Sequence, residues 1–319
     1  MHSRAIAVFA LLACLGAERR ARAQACCVST STIFPGRLQD GERGLLGVSA
    51  KGAVAFGSFD GEHVLRGQPD GASEIDLGQT LFVTARVGDE PVQINVSVPL
   101  VETFRSAESV SDFGGGLGDI SFSMRWDVLR NGRDPVVPGI APLLSVTVPS
   151  GTPADMAQNP LGADATGLGG AQLGAGLALE KTFGRMLLAL TGTASFHGAR
   201  TVRGVHSQLG PDLAGTIGAS YTFRGGFSLG GALTYTGSWD ATVNDASVAD
   251  SARALTTLAL VAALPLRGNA RVLGSLFFVP PISGVGQNEI GNVGLSLTLI
   301  YGMTGSPKNC DCATGVCHP

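Results

Sequence analysis

GGGLGDISFSMRWDVLRNGRDP, from Gly114 to Pro135, sorts its side chains by parity. Ile120, Phe122, Met124, Trp126 and Val128 alternate with Asp119, Ser121, Ser123, Arg125 and Asp127. Successive side chains of a strand point to opposite faces, so one face here is wholly apolar and the other polar and charged. In a soluble sandwich or small-ligand barrel the apolar face would turn inward to a core. In a membrane barrel it turns outward to lipid, and the charges belong to a wet or packed lumen. Trp126 then sits where Trp is favoured, at the membrane interface.

The same alternation returns in a dozen strand-sized segments, near 43–59, 74–87, 91–104, 117–130, 136–149, 169–182, 185–199, 209–224, 226–239, 251–265, 269–279 and 291–303. In the third, Val92, Ile94, Val96, Val98 and Leu100 oppose Gln93, Asn95 and Ser97. In the ninth, Phe227, Leu229, Leu233, Tyr235 and Trp239 oppose Ser228, Thr234, Thr236, Ser238 and Asp240.

The connections alternate as well. Short turns such as GDEP, NGRDP, Phe183-Gly184, Arg224-Gly225-Gly226 and Arg267-Gly268-Asn269 are interleaved with longer polar stretches at 60–73, 105–116, 150–168, 200–208, 240–250 and 280–290. Short turns at one end and long loops at the other are the pattern of an outer-membrane barrel, with periplasmic turns, outer loops and an even strand number. The sequence thus predicts an all-β fold: a transmembrane antiparallel β-barrel of 12 strands over residues 43–303.

Composition narrows the class further. Of 319 residues 44% are hydrophobic, only 15% are charged and 46 are glycine, against about 25% charged in an ordinary soluble domain. The longest apolar run, LTTLALVAALPL from Leu255 to Leu266, is shorter than the roughly 20 residues of a spanning helix. At the N-terminus Arg4, the apolar Ala5–Ala17 and Ala23-Gln24-Ala25 read as a signal peptide over 1–25 with cleavage before Cys26. Leu11-Leu12-Ala13-Cys14 offers a competing lipobox. Cleavage before Cys26 removes four arginines and one glutamate and moves the formal charge from −3 to −6, with no basic run for nucleic acid.

Three stretches resemble a known family: GGGLGDISFSMRW (Gly114–Trp126), LFVTARVGDEPVQINVSVPLVETF (Leu81–Phe104) and VPSGTPADMAQNPLGADATGLGGAQLGAGLALEKTFG (Val148–Gly184). They look like outer-membrane proteins grouped with meta-pathway phenol degradation and described as transporters. The resemblance covers about half the chain and implies an outer-membrane barrel that passes small solutes, aromatic ones included. NVGLSLTLIY, with Asn292, Gly294, Leu297 and Leu299, is similar to the signal by which the barrel assembly machinery recognises a last strand, although about eighteen residues follow Tyr301.

Five cysteines lie outside the signal peptide: Cys26 and Cys27 in a periplasmic segment at 26–42, and Cys310, Cys312 and Cys317 in a Cys-rich tail at 304–319. Barrel closure puts first and last strands side by side, so disulfides between the two clusters are expected in an oxidising periplasm. A soft-metal site at Cys317-His318 is the alternative reading, with a spacing that matches no standard zinc motif. Anchoring of periplasmic partners through this tail is the second functional hypothesis.

Enzymatic motifs are weak. Gly226-Phe227-Ser228-Leu229-Gly230 matches G-x-S-x-G, but strand alternation continues through it and no helix follows. Ser195 and His197 would suit a lipid-active barrel enzyme only if they faced lipid, and parity points them into the lumen. Gly-rich Asp112–Asp119 lacks the ending of a phosphate loop. No catalytic residue, metal or cofactor is assigned.

Parity places Asp76, Arg86, Asp119, Arg125, Asp127, Glu180, Arg185, Asp212, Arg224, Arg253 and Arg271 on the inner wall, with Phe82, Leu143, Leu187, Leu255, Leu273 and Phe277 among them. Mixed signs argue against a strongly ion-selective porin. The expected partners are outer-membrane lipid, the barrel assembly machinery and a small-molecule solute.

Overall fold

Lipid on one face and water on the other force every backbone group in the wall to find its partner in a neighbouring strand. The computed structural model describes residues 36–39, 41–132, 136–202 and 204–304, together with the backbone of two short paired strands, Cys310–Asp311 and Val316–Cys317. Twelve strands form the wall. They are β1 (Glu42–Phe59), β2 (Ser73–Arg86), β3 (Val92–Ala107), β4 (Ile120–Trp126), β5 (Gly139–Val148) and β6 (Gln172–Phe183). The second half comprises β7 (Met186–His197), β8 (Asp212–Thr222), β9 (Ser228–Ser238), β10 (Arg253–Pro265), β11 (Ala270–Phe278) and β12 (Glu289–Thr304).

Each pairs antiparallel with its chain neighbour, and β12 closes on β1 with Leu45 opposite Gly302, Lys51 opposite Ser296 and Ala53 opposite Gly294. Opposite residues share a face, so one inward residue fixes the register of the ring. Leu45, Phe82, Thr84, Asn95, Arg125 and Glu180 are buried inside, while Leu46, Val48, Leu81, Val83, Ile94 and Phe122 are exposed outside. The apolar face therefore points outward and the polar face inward, the reverse of a soluble barrel.

Each of the five short turns holds a glycine in the left-handed region: Gly88, Gly132, Gly184, Gly226 and Gly268. Aromatic side chains gather at this end. Trp126, Tyr221, Phe223 and Tyr301 are exposed on the outer face, and Tyr221 meets Phe223 edge-on with ring centroids 5.0 Å apart.

The opposite end differs from expectation at 105–116. β3 continues to Ala107, the chain turns at Glu108, and Val110–Leu117 returns as a strand paired with β3, Phe104 opposite Phe113. Its glycines would argue against a strand on propensity alone. The extended edge of β3 supplies the hydrogen bonds, and a loop packed on the glycine face requires bare backbone there. A Cβ at Gly114 would lie 2.6 Å from the Asp164 amide nitrogen. Four short strands, Arg200–Val202, Val205–Gln208, Thr242–Val243 and Ala246–Ser247, form a separate sheet at the same end.

Candidate functional site in the barrel lumen

Two polar assemblies occupy the lumen, one at each end. At the short-turn end the wall contributes charges from five strands, β1, β2, β4, β6 and β11, and from Asp127 just past β4. Arg125 on β4 donates from Nε to Asp127 Oδ1 at 2.8 Å, and its Nη2 forms an ion pair with Glu180 Oε1 on β6 at 3.0 Å. Gln93 Nε2 donates to the second Asp127 oxygen at 2.7 Å. Arg271 Nη1 pairs with Glu42 Oε1 at 2.5 Å, and Arg86 Nε donates to the Glu42 carbonyl at 3.3 Å.

Residues 36–39 enter this assembly. Arg37 ion-pairs with Glu180 and lies 4.0 Å from Asp127. Leu38 is buried against Leu45, Phe82 and Ile300, with Leu273 packed beside them. The backbone is held as well: Leu38 N donates to Gln93 Oε1 at 3.0 Å, Thr84 Oγ1 donates to Gly36 O at 2.9 Å, and Arg271 Nη2 donates to Arg37 O at 3.2 Å. Residues 36–39 therefore lie inside the short-turn end of the barrel, where they form a plug. The physical reason is charge: Glu180 and Asp127 are two buried carboxylates, and Arg125 alone cannot neutralise both. With Arg37 in place the cluster holds two guanidinium groups and two carboxylates, which satisfies the requirement that buried charges be paired.

At the long-loop end the lumen widens into a cavity of about 450 Å³. Hydroxyls of Ser145, Thr193 and Ser195 line it together with Leu168 and Ala214, and Asp212, Arg253 and Glu289 bring charge. His197 is buried, its Nε2 lies 2.7 Å from Asp212 Oδ2, and Gln172 Nε2 reaches the same oxygen at 3.4 Å. Arg253 remains exposed, 3.9 Å from Glu289. Between the two assemblies Lys51 sits over the Phe277 ring, 4.7 Å from its centroid, and Asp76 accepts from Thr103 Oγ1 at 3.0 Å.

A loop folds against the inner side of the wall beside this cavity. Asp119 accepts from Gly151 N at 2.9 Å and Leu168 N at 2.7 Å. Asp112 accepts from Leu161 N at 3.1 Å, and Arg105 Nη1 donates to Leu161 O at 3.0 Å. Within the loop Asp164 accepts from the amides of Gln158 and Asn159, and these hydrogen bonds hold its carboxyl below the usual carboxylate range. Two of the motif-bearing stretches thus meet: GGGLGD is the floor on which SGTPADMAQNPLGADATGL is folded.

The sequence-selected residues divide into several groups. Arg125, Asp127, Glu180, Arg271, Arg86 and Phe82 converge around the plug. Asp212 and Arg253 border the outer cavity, Phe277 lies between, and Asp119 ties the loop. Arg185 and Arg224 lie outside the strands, exposed in short turns, rather than on the inner wall; each falls two residues past a strand end, where parity no longer fixes direction. Ser195 and His197 face the lumen, as parity requires. Ser228 opens β9 and shares a 2.9 Å hydrogen bond with Thr222 rather than a strand-to-helix elbow. The expected signal peptide over 1–25, Cys14, Cys26, Cys27 and Cys312 lie outside the described residues, as do the side chains of Cys310 and Cys317. Sequence reasoning missed Arg37 and His197–Asp212 pairing; a lone arginine in an aperiodic segment carried no strand signal.

No family model matches the sequence, and no curated protein does either. Among solved structures the chain is similar to an outer membrane channel from Pseudomonas putida, at a TM-score of 0.66 and 13% identity, covering 84% of this chain and 100% of that one. The transport unit of the autotransporter AIDA-I from Escherichia coli (TM-score 0.46, 10% identity, 85% and 94% covered) and the NanC porin (0.45, 9%, 80% and 98%) are more distant. The first likeness supports the fold of an outer-membrane barrel; the other two carry no weight.

Proposed function

We propose that the chain is a passive channel of the bacterial outer membrane for small solutes, aromatic or hydrophobic ones included, with the short turns in the periplasm and the long loops outside. The observation that carries this reading is the lumen's division: a polar cavity at the long-loop end, and a peptide plug set among charged wall side chains at the other. A barrel serving only as an anchor has no need of a cavity of this size, whereas a solute path needs both a place to enter and a part that can move. Mixed lining suits a solute with an apolar body and a polar group: Leu168 would meet the body, and Asp212 or the serine hydroxyls the polar group. Assembly would follow the barrel machinery's recognition of β12.

Uptake into liposomes carrying the refolded chain tests the proposal, with a small phenolic compared against a sugar of similar size. Faster entry of the phenolic is expected; entry of neither, from a chain that has inserted, would contradict a channel.

A further inference from the structure

Four of the five short turns present an arginine beside an apolar residue. Arg130 follows Leu129, Arg185 lies two residues after Phe183, Arg224 follows Phe223 and Arg267 follows Leu266. All four arginines are exposed, and none forms an ion pair among the described residues. Their apolar companions are exposed on the outer face, at 42% for Leu129, 56% for Phe183, 46% for Phe223 and 43% for Leu266. Phe223 also stacks on Phe227 with centroids 5.5 Å apart. The remaining short turn is different: it carries Asp89 and Glu90, and Asp89 is already paired with Arg43 at 3.3 Å. The free arginines therefore follow one another along an arc from the β4–β5 turn to the β10–β11 turn. Neighbouring turns are two strands apart, about 10 Å along the rim. The long-loop end has the opposite charge, with exposed Glu62, Asp70, Glu108, Asp245 and Asp250.

We propose that Arg130, Arg185, Arg224 and Arg267 form a collar that binds the phosphate groups of anionic phospholipids in the leaflet at the short-turn rim. The inference rests on the membrane reading above. An exposed Phe or Leu at the edge of an apolar band belongs at the acyl boundary, which puts an adjacent arginine at headgroup depth. Guanidinium is planar and matches phosphate with paired hydrogen bonds, so arginine suits this contact better than a point charge does. A row of such groups also feels the negative potential of an anionic leaflet. A soluble anion would gain nothing from the flanking apolar side chains, which favours lipid as the source of the phosphate.

The test uses the refolded full chain in nanodiscs of phosphatidylcholine with an equal share of phosphatidylglycerol of the same acyl chains. Native mass spectrometry counts the lipids retained by the wild type and by the R130Q/R185Q/R224Q/R267Q variant. The wild type is expected to retain phosphatidylglycerol over phosphatidylcholine by at least about fivefold at low salt, and the variant to lose that preference while keeping the heat-modifiable gel mobility of a folded barrel. Equal retention by the inserted wild type, or an undiminished preference in the folded variant, would overturn the collar. Inorganic phosphate added to phosphatidylcholine nanodiscs should leave thermal stability unchanged; a rise matching that from phosphatidylglycerol would mark a free-anion site and overturn the lipid assignment. A chain that never inserts would overturn the membrane reading and the collar together.

Discussion

Arg125 is the residue on which the short-turn end depends most. It bridges Asp127 and Glu180 from within the wall, with its side chain 2% exposed. Replacing it with Ala leaves two buried carboxylates to Arg37 alone, and losing one partner of a buried ion pair costs about 3–5 kcal/mol. Urea unfolding of R125A in lipid vesicles should show a loss of this size, and E180Q combined with R125A should recover part of it; an R125A barrel as stable as wild type would mean the cluster is solvated. Asp164 gives a prediction in pH. Its carboxyl is held low by the Gln158 and Asn159 amides in the folded loop, so the ionised form is favoured there. Its contribution is complete above the ordinary carboxylate range and fades as pH falls through the depressed value. Protease cleavage within 151–168 should therefore accelerate in acid below that range, and D164N should be cleaved faster at neutral pH with little further change in acid. A D164N loop as resistant as wild type would remove Asp164 from the account.

At the scale of elements, the wall was readable because lipid constrains every outward residue of every strand. Ile120 to Trp126 and Val92 to Val98 obey the two-residue period without exception, and the turn glycines fall where the alternation breaks. The return strand Val110–Leu117 was not readable, because its three successive glycines serve loop packing rather than strand propensity. The plug was unreadable for another reason. Residues 36–39 have no periodicity, and their partners lie 55 residues away at Gln93, 143 at Glu180 and 234 at Arg271. Nothing local in a sequence records contacts at such separation. The loop on the glycine floor is expected to detach without unfolding the wall. G114V puts a branched side chain where even a Cβ meets the Asp164 and Ala163 backbone. Protease should then cut within 151–168 several-fold faster, while β-sheet circular dichroism is unchanged; a resistant loop in the folded variant would show that the glycine face is not its support.

For the molecule as a whole, the closed ring is the wall; on the proposed function the outer cavity would receive solute and the plug would be the part that yields, at the end the reading assigns to the periplasm. Twelve strands leave only modest room beyond the eight-strand case in which side chains alone fill the interior, so a short peptide suffices to occupy one end. The proposed channel therefore makes its sharpest claim about residues 36–39. Planar-bilayer recordings of the refolded wild type and of a chain lacking 36–39 measure this directly. The plug account predicts that the deletion raises single-channel conductance severalfold, and that R37A, which releases one ionic tether, gives more frequent openings. Equal conductance from the folded deletion and the wild type would contradict the assignment of these residues as the element that restricts the lumen.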